Sequence, residues 1–185
     1  AKLVDGVLNY TPNMLSSNGK HPLWPDIEKI QGEFKMNGSR LAVHADQALT
    51  NHVELRNVDV VIPDVLSGDP RLDIKGNAEG SLQNFVGFVN LTPVAGWIGD
   101  LTEKTAATGN ASLALTLQLP LEKPEDSAVS GTLWFNGNDI VLLEDLPVIA
   151  GTQGQLHFSE KGFQLEKIKA GFLHESVNVS GGTQS

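Results

Sequence analysis

Apolar side chains recur at every second position in short runs along this chain. Leu113, Leu115, Leu117 and Leu119 share one parity, and Ser112, Thr116 and Gln118 hold the other. Successive residues of a strand point to opposite faces, so this alternation predicts a strand with one face in the core and one in water. The same pattern recurs at Phe34 and Met36, at Leu41 and Val43, and at Val58, Val60 and Ile62. It returns at Leu133 and Phe135, Leu156 and Phe158, Phe163 and Leu165, and Val177 and Val179. Together these runs predict a mainly β fold, a twisted antiparallel sheet of about nine to eleven strands, either a curved groove or an open sandwich.

The strands come in related pairs. Gly32 leads through Phe34 and Met36 to Asn37-Gly38 and a return at Leu41. Gly131 leads through Leu133 and Phe135 to Asn136-Gly137 and Ile140. Gly154 leads through Leu156 and Phe158 to Lys161-Gly162 and Phe163. Asn-Gly is a preferred hairpin dipeptide because both central positions of a type I′ turn need positive φ. The pattern predicts repeated hairpins at these three places, with residues 3–10 and 176–181 as the outer strands of the sheet.

One stretch changes period. Leu82, Phe85, Val86 and Val89 stand at helical spacing after Ser81, which suits an N-cap. Thr92-Pro93 separates this from a second short helix over residues 94–102, with Pro93 in its first turn. The whole chain, residues 1–185, reads as a single β-rich segment, with residues 81–104 as a helical insert. Phe85, Val89, Trp97 and Ile98 are the residues expected to pack onto the sheet. The insert either caps a sheet end or clamps a binding surface.

Composition narrows the function. Thirteen Lys and Arg stand against twenty-two Asp and Glu, a formal charge of −9. That sign disfavours nucleic acid and anionic membrane surfaces. No run approaches the roughly 20 apolar residues of a membrane helix. The chain starts in mid-pattern without a signal peptide, so it reads as an internal piece of a longer protein. Cysteine is absent, which excludes disulfides and thiolate chemistry.

Catalytic patterns are missing as well. The five His, at 21, 44, 52, 157 and 174, are scattered without metal-ligand spacing. His44 and Asp46 share a strand face, and surface pairing explains them better than a metal. There is no nucleophile elbow, and Gly76-Asn77-Ala78-Glu79-Gly80 lacks the Lys and Ser/Thr of a phosphate loop. The expectation is a non-enzymatic protein with no cofactor and no metal.

The ordered residues resemble a family. Trp24-Pro25-Asp26-Ile27 is followed by Ile30, Gly32, Phe34 and Gly38, then Val61-Ile62-Pro63-Asp64. Gly76, Ala78 and Gly80 enter the stretch from Phe85 to Pro93. Gly109 and Ala111 precede the leucine run ending Leu119-Pro120-Leu121, and the Gly131, Gly154 and Gly162 hairpins close the series. This order resembles the large YhdP-like branch of the AsmA-like proteins of Gram-negative bacteria. The resemblance implies a periplasmic protein anchored in the inner membrane by a segment this chain lacks. It also implies a bridge-like β-groove for phospholipid acyl chains, and no catalytic residues. The implied partners are those acyl chains and the rest of the parent chain through the sheet edges. Membrane contact would come only through other parts of the parent.

Two readings of the apolar alternation follow. Alternation by itself favours a closed core, in a structural or adhesive β module of the envelope. The resemblance favours a groove, with Leu115, Leu117, Leu133, Phe135, Leu156 and Phe158 as its floor.

Overall fold

A computed structural model describes residues 1–9, 24–123, 126–173 and 175–183. The chain forms one eleven-stranded sheet. Its strands are β1 (Lys2–Leu8), β2 (Ile27–Asn37), β3 (Arg40–Thr50), β4 (Val53–Ile62) and β5 (Arg71–Ser81). Two helices follow, α1 (Leu82–Leu91) and α2 (Val94–Trp97). The second half holds β6 (Ala106–Ala107), β7 (Asn110–Pro120), β8 (Ala128–Val141), β9 (Ile149–Ser159), β10 (Gly162–Phe172) and β11 (Glu175–Gly182). Spatial order follows chain order from β1 to β11, and every pairing is antiparallel. Only β6 leaves the path, pairing with β8. β1 and β11 are the outer strands, and the sheet is open.

The apolar positions do not alternate perfectly, and bulges repair the difference. Ile27 and Ile30, Leu55 and Val58, and Leu165 and Ile168 are three apart. Between them Lys29, Asn57 and Lys167 take positive φ (52°, 49° and 52°). The ladder shifts register at each of these places. One extra residue in the strand returns the next apolar side chain to its original face. Asp5 (φ 56°) does the same in β1. Bulges also sharpen twist and bend.

Curvature is what makes a core in a single layer. Ile30, Ala45, Val58, Val60, Leu72, Leu117, Leu119 and Val129 form one buried cluster, drawn from six strands. A flat sheet would leave that face bare. Among the described residues no second sheet covers it, so the sheet must curl for these side chains to cover one another. A second cluster joins Val53, Ala78 and Ala111 to Leu82 and Phe85 of α1.

The turns differ in part from expectation. At the first hairpin the two-residue loop is Gly38-Ser39, and only Gly38 has positive φ (58°). Glycine first in the loop is the type II′ requirement, so Asn37 stays in the strand. The type I′ turn lies instead at Asn51-His52, both at positive φ (45° and 63°), where no glycine marks it. At Asn136-Gly137 there is no turn at all. β8 runs straight through, and Gly137 (φ 78°) is a bulge in it. Fully buried Asn138 holds that bulge. Its amide donates to the carbonyls of Thr108 (2.8 Å) and Asn110 (3.1 Å), and its side-chain oxygen accepts from the Asn136 N–H (2.8 Å). These bonds tie β8 across the break at Thr108-Gly109 between β6 and β7.

Helix α1 starts where expected. The Ser81 hydroxyl accepts from the Asn84 N–H (3.1 Å), and Leu82, Phe85 and Val86 are buried. The second helix is far shorter than residues 94–102. It stops at Trp97, because Gly99 and Asp100 turn left-handed (φ 64° and 55°).

Two stability predictions follow. Lys29 carries a side chain in a backbone region that costs an L-residue about 1–2 kcal/mol. Lys29→Gly should therefore raise the urea midpoint, and Lys29→Val should lower it. Asn138→Ala removes three hydrogen bonds made by a fully buried side chain, each worth about 0.5–1.5 kcal/mol net. It should lower the melting temperature far more than Asn136→Ala, as measured by circular dichroism.

Candidate functional site

Register places the candidate residues on one face in successive rows. Val60, Ile74, Leu117 and Val129 stand side by side. The next row is Gly76, Leu115, Gly131, Phe158 and Phe163. Then come Leu55, Ala78, Leu113, Leu133, Leu156 and Leu165. Last are Gly80, Ala111, Phe135 and Gly154. All six floor candidates thus share the apolar face of β7, β8 and β9.

Their surroundings differ. Leu117 is 3% exposed and belongs to the larger core. Leu115 and Phe158 are half-buried against that core. Phe158 lies across Gly131, where an added Cβ would sit 2.6 Å from its ring. Any side chain at 131 would lift the ring off the sheet. Leu133 and Phe135 are half-buried against the cluster that includes Phe85 of α1. Leu156 is half-buried and belongs to neither cluster. Further along the sheet, Phe163 and Val179 are each 43% exposed. The apolar face is therefore packed around β4, β5 and β7; on β10 it stays buried at Ile168 and Ala170 and is uncovered at Phe163, and on β11 it is uncovered at Val179.

Helix α1 borders one end of this face and is firmly tied. The side-chain oxygen of Gln83 accepts from the Ala107 N–H (2.8 Å), Asn84 donates to the His52 carbonyl (3.0 Å), and the Leu82 N–H bonds the Gly109 carbonyl (2.8 Å). Phe88 meets Trp24, ring centroids 6.2 Å apart. Phe85 is buried and Val89 half-buried. Ile98 does not pack as expected: it is 41% exposed, because α2 has ended before it. The side chain of Trp97 lies outside what the structure describes.

The opposite face is polar and pairs its own charges. Glu33 meets Lys35 (2.9 Å), Arg56 meets Glu54 (2.9 Å), and Arg71 meets Asp73 (2.9 Å). The Lys35 ammonium holds the Glu33 carboxyl below its ordinary range. His44 turns from Asp46 (3.7 Å) to Asp59 (2.7 Å), and that hydrogen bond raises its pKa. No three potential ligands converge on a metal site among the described residues. Thr132, His157 and Glu166 form a chain of hydrogen bonds (2.9 and 3.1 Å) in the hydroxyl–imidazole–carboxylate order of acyl-transfer triads. Thr132 sits in the middle of the sheet, between Ala114 and His157. There the surrounding backbone N–H groups serve the ladders and leave no oxyanion donors. Solvated cross-strand pairing accounts for the trio.

The alternation had shown which face is apolar. It gave no sign of where along the sheet that face closes, which depends on bends set by single bulge residues.

The family model described as YhdP protein matches residues 1–185. No curated protein and no solved structure matches the chain. The open antiparallel sheet with two short helices agrees with the twisted antiparallel sheet, curved groove or open sandwich, expected from the sequence. The chain belongs to the YhdP family of Gram-negative envelope proteins.

Proposed function

We propose that this chain is a periplasmic segment of an inner-membrane-anchored protein, and that its apolar face carries phospholipid acyl chains between the inner and outer membranes. The observation that carries the reading is the set of uncovered positions on the apolar face, half-buried Leu156 and exposed Phe163 and Val179, which border the buried Ile168 and Ala170 of β10. An acyl chain needs contact and dryness but no hydrogen bonds. A strip of leucine, valine and phenylalanine with no polar anchor meets that need. Family membership supports the same reading at a coarser level. No helix among the described residues is long and apolar enough to cross a membrane. In this reading contact with either bilayer is assigned to other parts of the parent protein. The open edges of β1 and β11 would join the rest of that protein, since an unpaired edge is a template for a further strand.

A closed β module of the envelope is the second reading, favoured by the depth at which Leu117 and Leu119 are buried. The two readings assign different fates to charges on the same face. Under the groove reading, Leu156→Asp puts a charge in the path of acyl chains, a cost above the roughly 2–7 kcal/mol of a neutral polar group if it stays dry and ionised. Purified protein should then lose co-extracted phospholipid, measured by mass spectrometry, while its circular dichroism stays native. Leu117→Asp buries a charge in packed core and should unfold the chain. Wild-type protein free of phospholipid, or a Leu156→Asp variant that keeps it, would leave the closed module as the better account.

A further inference from the structure

The polar face changes character along the sheet. Over β2 to β5 it carries paired charges: Glu33 with Lys35, Glu54 and Glu79 with Arg56, and Asp73 with Arg71. Over β7, β8 and β9 the charges stop. The polar-face positions between 110 and 118 of β7 hold Asn, Ser, Ala, Thr and Gln. Those between 130 and 136 of β8 hold Ser, Thr, Trp and Asn, and those between 153 and 159 of β9 hold Gln, Gln, His and Ser. Three neighbouring strands thus present no Asp, Glu, Lys or Arg there, in a chain with thirteen basic and twenty-two acidic residues.

Trp134 stands in the middle of this patch. Ser112 lies across from it on β7 and Gln155 on β9, with Thr132 and Asn136 two residues away along its own strand. It is 36% exposed. The strand phenylalanines among the described residues all lie on the other face, so Trp134 is the one aromatic that the polar face presents. Two open hollows adjoin it. One, of about 530 Å³, is lined by Glu79, Asn110, Ser112 and Asn136 among others. The second, of about 490 Å³, takes in Asn77, Ala114, Thr132 and His157, with Asp59 and Lys75 at its far rim. The short side chains of Ser112 and Ala114 leave this space beside the indole. Hydrogen bonds from His157 to Thr132 (2.9 Å) and Glu166 (3.1 Å) hold the imidazole in place at its border.

We infer that this patch binds a neutral saccharide, with one sugar ring stacked on Trp134. A sugar ring has an apolar C–H face and a rim of hydroxyls. The electron-rich face of an indole attracts the first. Asn, Gln, Ser and Thr each offer both donor and acceptor to the second. Other ligand classes fit less well. An acyl chain would bury these amides and hydroxyls unpaired. A nucleotide would find no cation on the three strands and a chain of net charge −9 around them. An added peptide strand needs a free edge, and β7, β8 and β9 are paired on both sides.

The test titrates the ¹⁵N-labelled chain with chitotriose, cellotriose and maltotriose and follows the tryptophan indole N–H signals by NMR. Trp134→Phe identifies the Trp134 signal by its loss. That signal should shift and saturate with at least one of these sugars. Trigalacturonate, of the same length but charged, should leave it in place. Saturation transfer from protein to sugar should vanish in Trp134→Ala. Ala114→Leu, which fills the hollow and keeps the indole, should weaken binding about tenfold, and Gln155→Ala should weaken it as well. Leu66→Ser, at an exposed loop leucine between β4 and β5, should change nothing. Circular dichroism confirms that each variant is folded. A Trp134 signal unmoved by all three sugars overturns the proposal, as does an equal shift with trigalacturonate. Binding that survives Trp134→Ala, or that Ala114→Leu and Gln155→Ala leave unchanged, overturns it too, and so does equal loss with Leu66→Ser. These readouts concern the face opposite the proposed acyl path and stand or fall apart from it.

Discussion

Everything in this fold depends on keeping one parity of side chains on one face across eleven strands. A strand that slips by a single residue sends its whole apolar set to the other side. The chain meets that constraint with hydrogen-bonded register between consecutive strands and with bulges at the few places where its apolar spacing is three rather than two. Lys29, Asn57 and Lys167 each accept an unfavourable backbone conformation for this purpose. Without them Ile27 and Ile30, or Leu55 and Val58, would lie on opposite faces, and neither the core nor the open strip would be continuous.

The same bends decide which part of the face is core and which part is open. Leu117 and Leu156 are both leucines of one apolar face, two rows and two strands apart. One is sealed among residues from several strands, and the other belongs to neither cluster. A single layer can therefore be stable and still leave apolar surface available. The packed positions supply the stability, and the uncovered ones, Leu156, Phe163 and Val179, supply the surface on which lipid binding is proposed.

Much of the sheet was legible in the residues. Leucines 113 to 119, the paired Gly32 and Gly154 units and the Ser81 cap all announced their elements, because period and capping are local properties. The failures share a cause. Asn136-Gly137 has the composition of a hairpin, yet the contacts that keep it in the strand come from Thr108 and Asn110, nearly thirty residues away. The turn at Asn51-His52 has no glycine, so its left-handed backbone left no mark. Helix α2 stops short because Gly99 and Asp100 reverse the chain, and Ile98 is exposed as a result. Of the six floor residues, sequence placed all on one face. It could not distinguish buried Leu117 from half-open Leu156, since depth depends on long-range curvature.

Strand order that follows chain order has a consequence for how such a protein is made. Apart from the two-residue β6, which waits for β8, each new strand pairs with the one before it on the path. Sequence-local pairing of this kind shortens the loops that folding has to close. A chain emerging end first from a ribosome or a translocation pore can add hairpin to hairpin in the order of emergence. At every moment the growing edge is the one that the next strand on the path will cover, while the outer edge of β1 stays open.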